Sequence, residues 1–182
     1  MIKKMSKKEG GIALYLGKFQ PFHNDHLKVV KKILKQHQKV KIAIGSSDDH
    51  HKKKNPFTYN ERKAMIIAAL QEANISKRRY QIIAVPDICN DKKYVVYVKK
   101  CVGAFDMFYT GNQLNLRLFR KAGCRVKPIK RFSAISGTKI RKSIKEEKGY
   151  HQNMIPESVQ KVLKKIDSEK RLQNISARKN KR

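Results

Sequence analysis

The chain contains no tryptophan, only three cysteines among its 182 residues, and no long apolar run. Its longest apolar stretch, residues 64–70, is far below the roughly 20 residues that a membrane-spanning helix needs. No hydrophobic segment follows the lysine-rich first ten residues, so a secretory leader is not indicated either. We therefore expect a soluble, cytoplasmic protein.

The few cysteines exclude two common ways of stabilising a small protein. Cys89, Cys101 and Cys124 are odd in number and widely spaced, and the chain has no Cys-x-x-Cys pair. A disulfide framework needs an even set of cysteines, and a structural zinc site needs closely spaced ligands. We expect three reduced thiols.

Acidic residues are also scarce. The chain has 14 Asp and Glu against 44 Lys and Arg, which gives a formal net charge of +30. Most of this excess lies between residues 11 and 167 rather than at the two basic ends. Such a field attracts polyanions, including nucleotides and nucleic acids, but charge alone does not choose between them. General adaptation to an ionic environment would produce the same composition.

Strand-like and helix-like segments alternate along the chain, and 40% of the residues are hydrophobic, enough for one core. This alternation predicts an α/β fold: a single Rossmann-like domain with an open parallel sheet of five or six strands and helices on both faces. We assign the domain to residues 11–167, between a basic N-terminal extension (1–10) and a basic C-terminal tail (168–182) that we expect to be partly frayed. The predicted strands are 12–16, 40–44, 80–85, 105–109 and 125–129.

Local signals indicate where several helices begin. Asn24 or Asp25 is a plausible N-cap of the first helix. Thr58 and Glu61 have the spacing of a capping box. Pro156 suits the first position of the last helix. Residues 94–102 are short and rich in β-branched side chains, and we predict a helix or a lid there.

Two distant segments, residues 17–26 and 135–141, carry side chains suited to binding phosphate. In the first segment, His23 and His26 are three residues apart, so both imidazoles can reach the first turn of a helix. A helix N-terminus offers free N–H groups and a partial positive charge, which favour phosphate. The second segment repeats this arrangement with hydroxyls and Arg141. Together they indicate a protein that handles a nucleoside triphosphate, although one histidine of an isolated pair could simply pack under the loop.

Polar residues follow every predicted strand. In an open parallel sheet, ligands bind outside the carboxyl ends of the strands, so these residues should meet at one crevice. Zinc is a weaker interpretation, because the two histidines have no evident third ligand nearby. The polar segments are residues 18–26, 45–54, 87–90, 111–112 and 136–141.

These motifs resemble those of the nucleotidyltransferase superfamily. Over residues 11–166, the chain is similar to the archaeal-type nicotinamide mononucleotide adenylyltransferases. The resemblance rests on Gly-x-Phe-x-Pro-x-His at 17–23, Asn-Pro-Phe-Thr at 55–58 followed by Glu61-Arg62, Pro-Asp-Ile at 86–88, Tyr-Thr-Gly-Asn at 109–112 and Ser-Gly-Thr at 136–138.

The resemblance implies transfer of AMP from ATP to nicotinamide mononucleotide, with formation of NAD and pyrophosphate. Mg²⁺ would enter with ATP, and no metal site made by the protein is implied. The implied catalytic residues at the phosphates are His23, His26, Lys54 and Arg141. The implied ATP-binding residues are Gly17, Lys18, Phe19, Gly111, Asn112, Ser136, Gly137 and Thr138. The implied contacts with nicotinamide mononucleotide are Asp87, Asn90 and Tyr94.

Four positions depart from the family pattern. Asp25 stands where the superfamily has glycine, and its carboxylate would weaken ATP binding unless it points outward as an N-cap. Lys18 and Lys54 replace arginines, which keeps the charge but loses the bidentate fork. Tyr94 falls about where the family has a tryptophan that stacks on nicotinamide, and it offers less stacking area.

Two other functions stay open. The first is another small adenylyl or cytidylyl transferase, acting on a flavin or pantetheine phosphate. The second is a nucleic-acid-binding protein on the same fold, which the charge favours but no stacked aromatics or RNA motif support. Non-specific association with nucleic acid and assembly into a homo-oligomer are compatible with either enzyme interpretation.

Overall fold

The computed structural model describes residues 10–88, 90–130 and 132–177. Our expectations for the Cys89 thiol and for the two extreme ends of the chain concern positions outside these described residues. None of the helices in the described ranges is both long and apolar enough to cross a membrane.

The strands form one parallel sheet in the order β3-β2-β1-β4-β5. The chain first builds outward from β1 to β2 and β3, and then returns to add β4 on the other side of β1. This reversal creates a crevice at the carboxyl ends of β1 and β4. The strands are β1 (Ile12–Gly17), β2 (Lys39–Gly45), β3 (Tyr80–Val85), β4 (Met107–Thr110) and β5 (Val126–Pro128).

Seven α-helices occur in the described part of the chain, and they cover both faces of the sheet, as predicted. One face carries a core that includes Val30, Ile66 and Ile140. The other carries a smaller core that includes Val98 and Phe119. The helices are α1 (Asn24–Gln36), α2 (Tyr59–Glu72), α3 (Asp91–Val102), α4 (Gln113–Lys121), α5 (Gly137–Lys145), α6 (Glu157–Lys165) and α7 (Ser168–Ala177).

One predicted helix start is confirmed. Thr58 and Glu61 form the expected capping box, with the Thr58 N–H donating to Glu61 Oε2 at 2.8 Å. Residues 94–102, predicted as a helix or a lid, are helical, but the helix begins earlier, at Asp91. The strand predicted at 105–109 instead spans Met107–Thr110, and the Phe105 ring packs near Phe119, with centroids 6.5 Å apart.

Two predicted helix starts are shifted. His23, rather than Asn24 or Asp25, is the N-cap of α1, because the other two side chains bond to distant residues: Asn24 to the Asn153 carbonyl and Asp25 to Ser133. Pro156 is the N-cap of α6 rather than its first residue.

The C-terminal segment was expected to be partly frayed, and this expectation is wrong for residues 168–177. They form α7, in which Leu172 is buried. Arg171 Nη1 donates to both carboxylate oxygens of Glu61, at 2.7 and 2.6 Å. The basic composition of this segment predicted neither the burial of Leu172 nor the ion pair of Arg171.

Candidate active site

A cleft of about 430 Å³ opens at the carboxyl ends of the strands. Loops that follow all five strands contribute to its lining, as expected for the crevice of an open parallel sheet. The residues predicted from the sequence that line it are His23, His26, Gly17, Lys18, Gly111, Asn112, Ser136, Gly137, Asp87 and Tyr94.

The two histidines of the first motif lie against each other at the start of α1. Their rings are stacked, with centroids 3.5 Å apart and planes 22° apart. The backbone N–H of His23 donates to His26 Nδ1 at 3.3 Å. When His26 is neutral, its proton is therefore on Nε2, which is left as a hydrogen-bond donor.

Burial keeps both imidazoles neutral. It lowers the pKa of His23 to about 4, although the nearby Asp25 carboxylate acts in the opposite direction. The pKa of His26 is held well below its usual value, first by burial and then by the proximity of His23. At neutral pH, the pair can offer N–H donors to an anion without carrying a charge of its own.

Phe19 supports this pair from below and does not line the cleft. Its side chain is 2% exposed, and its ring meets His26 edge-on at 4.9 Å. Gly17 leaves room for the ring, because a Cβ at Gly17 would lie 2.9 Å from it. The sequence predicted Phe19 as an ATP contact, whereas the structure gives it a packing position.

The second motif meets the first directly. Arg141 Nη1 donates to the Gln20 carbonyl at 2.7 Å, and a Cβ on Gly137 would lie 2.7 Å from the same oxygen. Gln20 is itself fixed by two hydrogen bonds of 3.0 Å to the backbone of Phe57. Ser136 is the N-cap of α5 and accepts from Lys139 N at 3.3 Å. The N-termini of α1 and α5 thus flank one cleft.

Other predicted residues lie outside the cleft lining. Arg141 is engaged with Gln20 and, at 3.3 Å, with Thr138 Oγ1. Thr138 and Lys54 are exposed. Asn90 is the N-cap of α3 and accepts from Lys93 N at 3.1 Å.

Arg62 positions two of the loops, although the sequence marks this residue only as part of a motif. Its side chain is fully buried and donates to the carbonyls of Lys18, Gly45 and Ser46 at 3.1, 2.8 and 2.9 Å. The loops after β1 and β2 are therefore tied to one guanidinium. The sequence shows only that an arginine follows the capping box directly, and its burial is visible only in the structure.

Family comparison agrees with this geometry. The cytidylyltransferase-like family model matches residues 14–143. The nicotinamide-nucleotide adenylyltransferase of Archaeoglobus fulgidus is 39% identical over 91% of this chain and 98% of that protein. The enzyme of the same name from Thermococcus kodakarensis is 37% identical over 90% of this chain and 87% of that protein. The chain belongs to the nicotinamide-nucleotide adenylyltransferase family.

Solved structures with this fold extend beyond the archaeal members. A bifunctional NMN adenylyltransferase/ADP ribose pyrophosphatase from Francisella tularensis, complexed with AMP and a manganese ion, superposes with a TM-score of 0.72 at 22% identity. The match covers 93% of this chain, which spans about half (52%) of that bifunctional protein. The Plasmodium falciparum nicotinic acid mononucleotide adenylyltransferase gives a TM-score of 0.57 at 13% identity, over 86% of this chain and 95% of that one. These similarities establish the Rossmann-like fold.

Asp25, where the resemblance implies a glycine, lies in the wall of the cleft. It is 7% exposed and lines the cleft, and it does not point outward as an N-cap. Its Oδ2 accepts hydrogen bonds from the backbone N–H and the hydroxyl of Ser133, at 3.1 and 3.0 Å. Tyr94 also lines the cleft and packs edge-on against Phe119, with centroids 6.4 Å apart.

Two lining residues from one loop were not predicted from the sequence. Lys130 and Phe132 belong to the loop between β5 and α5, and Phe132 is 46% exposed. No sequence pattern marks these two positions, because their access to the cleft depends on the path of their loop. Ser46, which belongs to the predicted segment 45–54, lines the cleft from the end of β2 with a left-handed φ of 48°. No group of three His, Cys, Asp or Glu side chains within the described ranges could hold a metal ion.

Proposed function

We propose that this protein transfers AMP from MgATP to nicotinamide mononucleotide, forming NAD and releasing pyrophosphate. The observation that carries this proposal is the meeting of two phosphate motifs at one cleft, with His23 and His26 on one wall and Ser136 and Gly137 on the other. The names of the archaeal relatives support the choice of acceptor.

The reaction needs no nucleophile from the protein. A phosphate oxygen of nicotinamide mononucleotide attacks the α-phosphorus of ATP, and the bond from that phosphorus to the bridging oxygen breaks as pyrophosphate leaves. The protein accelerates this step by holding the two nucleotides in line and by stabilising charge on the leaving pyrophosphate. Mg²⁺ arrives as part of the triphosphate substrate and offsets the remaining charge.

The proposed phosphate contacts come from both walls. The neutral imidazoles of His23 and His26 donate hydrogen bonds, and Lys18 supplies positive charge. The free N–H groups at the start of α5, together with Ser136, face the β- and γ-phosphates. Gly111 and Asn112 continue the ATP side of the cleft at the end of β4.

The remaining candidates have revised roles in this proposal. Arg141 acts by holding α5 against Gln20. Lys54 is exposed on the loop after β2, so we assign it a contact with the triphosphate only when that loop closes. Asp87 and Tyr94 form the nicotinamide side, and Asn90 supports them by capping α3.

We further propose that the catalytic domain extends through α7 rather than ending at residue 167, because α7 is anchored to α2 through Glu61. We place the reaction in the cytoplasm. Cys101 and Cys124 are both free thiols, which fits a reducing compartment.

A side-by-side acceptor assay tests the function. Purified protein is incubated with ATP, Mg²⁺ and one acceptor: nicotinamide mononucleotide, nicotinic acid mononucleotide, flavin mononucleotide or pantetheine phosphate. The product of each reaction is measured by liquid chromatography. We expect NAD, from nicotinamide mononucleotide, to form faster than the product of any other acceptor. A faster product from the flavin or pantetheine acceptor would reassign the enzyme, and no product from any acceptor would exclude the adenylyltransferase proposal.

A further inference from the structure

Asp25 connects the helix that carries the histidines to the loop that precedes α5. It is the second residue of α1, and Ser133 lies 108 residues later in the chain. One carboxylate oxygen of Asp25 receives both the N–H and the hydroxyl of Ser133. The Ser133 hydroxyl in turn accepts from Ile135 N at 3.1 Å. We call this arrangement the Asp25–Ser133 latch.

The latch ties to α1 a part of the cleft wall that the motif contacts do not reach, although Ile135 of this part also packs against the hydrophobic core. Arg141 and Gly137 hold the first turn of α5 against Gln20. The preceding loop, which contributes Phe132 and Ile135 to the cleft, is held through the latch instead. A weaker contact also joins this loop to α1: Lys32 Nζ lies 5.9 Å from the centre of the Phe132 ring.

A carboxylate in a triphosphate cleft would ordinarily repel ATP. Here the charge of Asp25 is directed toward two donors of Ser133, and Lys28 Nζ lies 3.8 Å from its other oxygen. Its position in the first turn of α1 also places it at the positive end of the helix. The local environment therefore offsets the charge while the carboxylate keeps its structural contact.

We propose that Asp25 is a positioning residue, which holds the 132–135 loop as the ATP-side wall of the cleft through its hydrogen bonds to Ser133. The inference rests on the proposed function for its substrate. It implies that restoring the glycine of the superfamily pattern at this position weakens ATP binding rather than strengthening it.

Kinetics and equilibrium binding on four variants test the latch: Asp25→Gly, Asp25→Asn, Ser133→Ala and the double variant Asp25→Gly/Ser133→Ala. We expect Asp25→Gly to raise both the KM and the Kd for MgATP about tenfold, because hydrogen bonds to a charged group are lost. The KM for nicotinamide mononucleotide should stay unchanged. Ser133→Ala should raise the KM and Kd for MgATP less than Asp25→Gly does, since the backbone N–H of residue 133 remains. Asp25→Asn keeps a carbonyl acceptor, so its KM and Kd should lie between those of wild type and Asp25→Gly.

A double-variant comparison and a control substitution away from the cleft distinguish loss of the latch from general destabilisation of the fold. If the two residues act together, the double variant should resemble Asp25→Gly alone. The matched control is Glu157→Gln, which removes an exposed carboxylate from the first turn of α6, away from the cleft, and should leave ATP affinity unchanged. Circular dichroism confirms that each variant is folded.

Hydrogen exchange provides a readout that does not depend on turnover. In the absence of substrate, the amides of residues 133–135 should exchange faster in Asp25→Gly than in wild type. Unchanged exchange, tighter ATP binding by Asp25→Gly, or fully additive effects in the double variant would each overturn the inference. Because ATP Kd and exchange are measured without an acceptor, they decide the latch even if the acceptor assay rejects the proposed reaction.

Discussion

The histidine pair at the start of α1 is uncharged at neutral pH. Burial lowers the pKa of both histidines, and the proximity of His23 lowers that of His26 further. In the proposed reaction, the positive charge near the phosphates therefore comes from Lys18 and from the helix N-termini. Neutral donors can stabilise charge that develops on a leaving group without binding the ground state more tightly.

Replacing His26 tests its contribution to the rate. We expect His26→Ala to lower kcat by about 100-fold or more, because one preorganised donor to the reacting phosphates is lost. His26→Gln keeps a side-chain N–H and should retain more activity. The control His50→Ala changes an exposed histidine outside the cleft lining and should form NAD at the wild-type rate. Wild-type turnover in His26→Ala would remove this histidine from the mechanism.

The depressed pKa of His23 also predicts an acid sensitivity. Between pH 6.5 and about 4, the unfolded chain binds a proton at position 23 that the folded protein does not bind. The free energy of unfolding should therefore fall as the pH drops through this window, and His23 should account for about 3 kcal/mol of the loss. Above this window, the contribution of His23 to stability is fully present. Urea unfolding at several pH values should show a smaller loss in His23→Gln; equal losses in both proteins would contradict the prediction.

At the scale of elements, the site depends on how closely α5 approaches the loop after β1. Gly137 and Arg141 both meet the carbonyl of Gln20, so the two helix N-termini are held at a set separation. Arg62 does the same for the loops after β1 and β2. These contacts explain why two motifs that are distant in the sequence form one cleft.

A methyl group at Gly137 tests this approach. Its Cβ would lie 2.7 Å from the Gln20 carbonyl, which is backbone and cannot swing away. We expect Gly137→Ala to cost about 1–3 kcal/mol of stability and to raise the KM for ATP as α5 moves outward.

The matched control is Gly45→Ala, whose Cβ would meet Leu16 at an ordinary 3.8 Å. Its free energy of unfolding, measured in urea, should stay close to that of wild type. Equal stability of Gly137→Ala and wild type would show that the contact is not needed.

At the scale of the whole molecule, α7 packs against α5 and α6 and is joined to α2 by an ion pair. The Arg171 and Glu61 side chains are only 21% and 17% exposed, so their ion pair is partly shielded from water. Burial acts to raise the pKa of Glu61, but the bonds from Arg171 and Thr58 outweigh it and lower that pKa. The same carboxylate thus caps α2 and anchors the C-terminal helix.

Removing this anchor should destabilise the fold. We expect Arg171→Met to lower the free energy of unfolding by about 2 kcal/mol, because Glu61 keeps its burial but loses its partner. Lys170→Met, which changes the exposed neighbour, is the control and should have little effect. Equal urea midpoints for the two variants would place α7 outside the cooperative fold.

The net charge of +30 also acts at this scale. We expect RNA to bind the protein at low salt and to be released near physiological salt, since counterion release dominates non-specific binding. A salt titration followed by fluorescence anisotropy measures this. Retention of RNA at physiological salt would support a dedicated nucleic-acid role instead.

The sequence by itself determined the α/β class, the order and approximate positions of the strands, and the two phosphate motifs, because hydrophobic periodicity and helix N-terminal chemistry are local properties. It did not reveal that Phe19 packs beneath His26, that Arg141 bonds to Gln20, or that residues 168–177 form an anchored helix. Only the tertiary structure decided these, and with them the partner of Asp25. Each of these contacts depends on which backbone carbonyl, ring or hydroxyl the fold brings within contact distance. Asp25 and Ser133 are 108 positions apart, so no local sequence pattern could predict their hydrogen bonds.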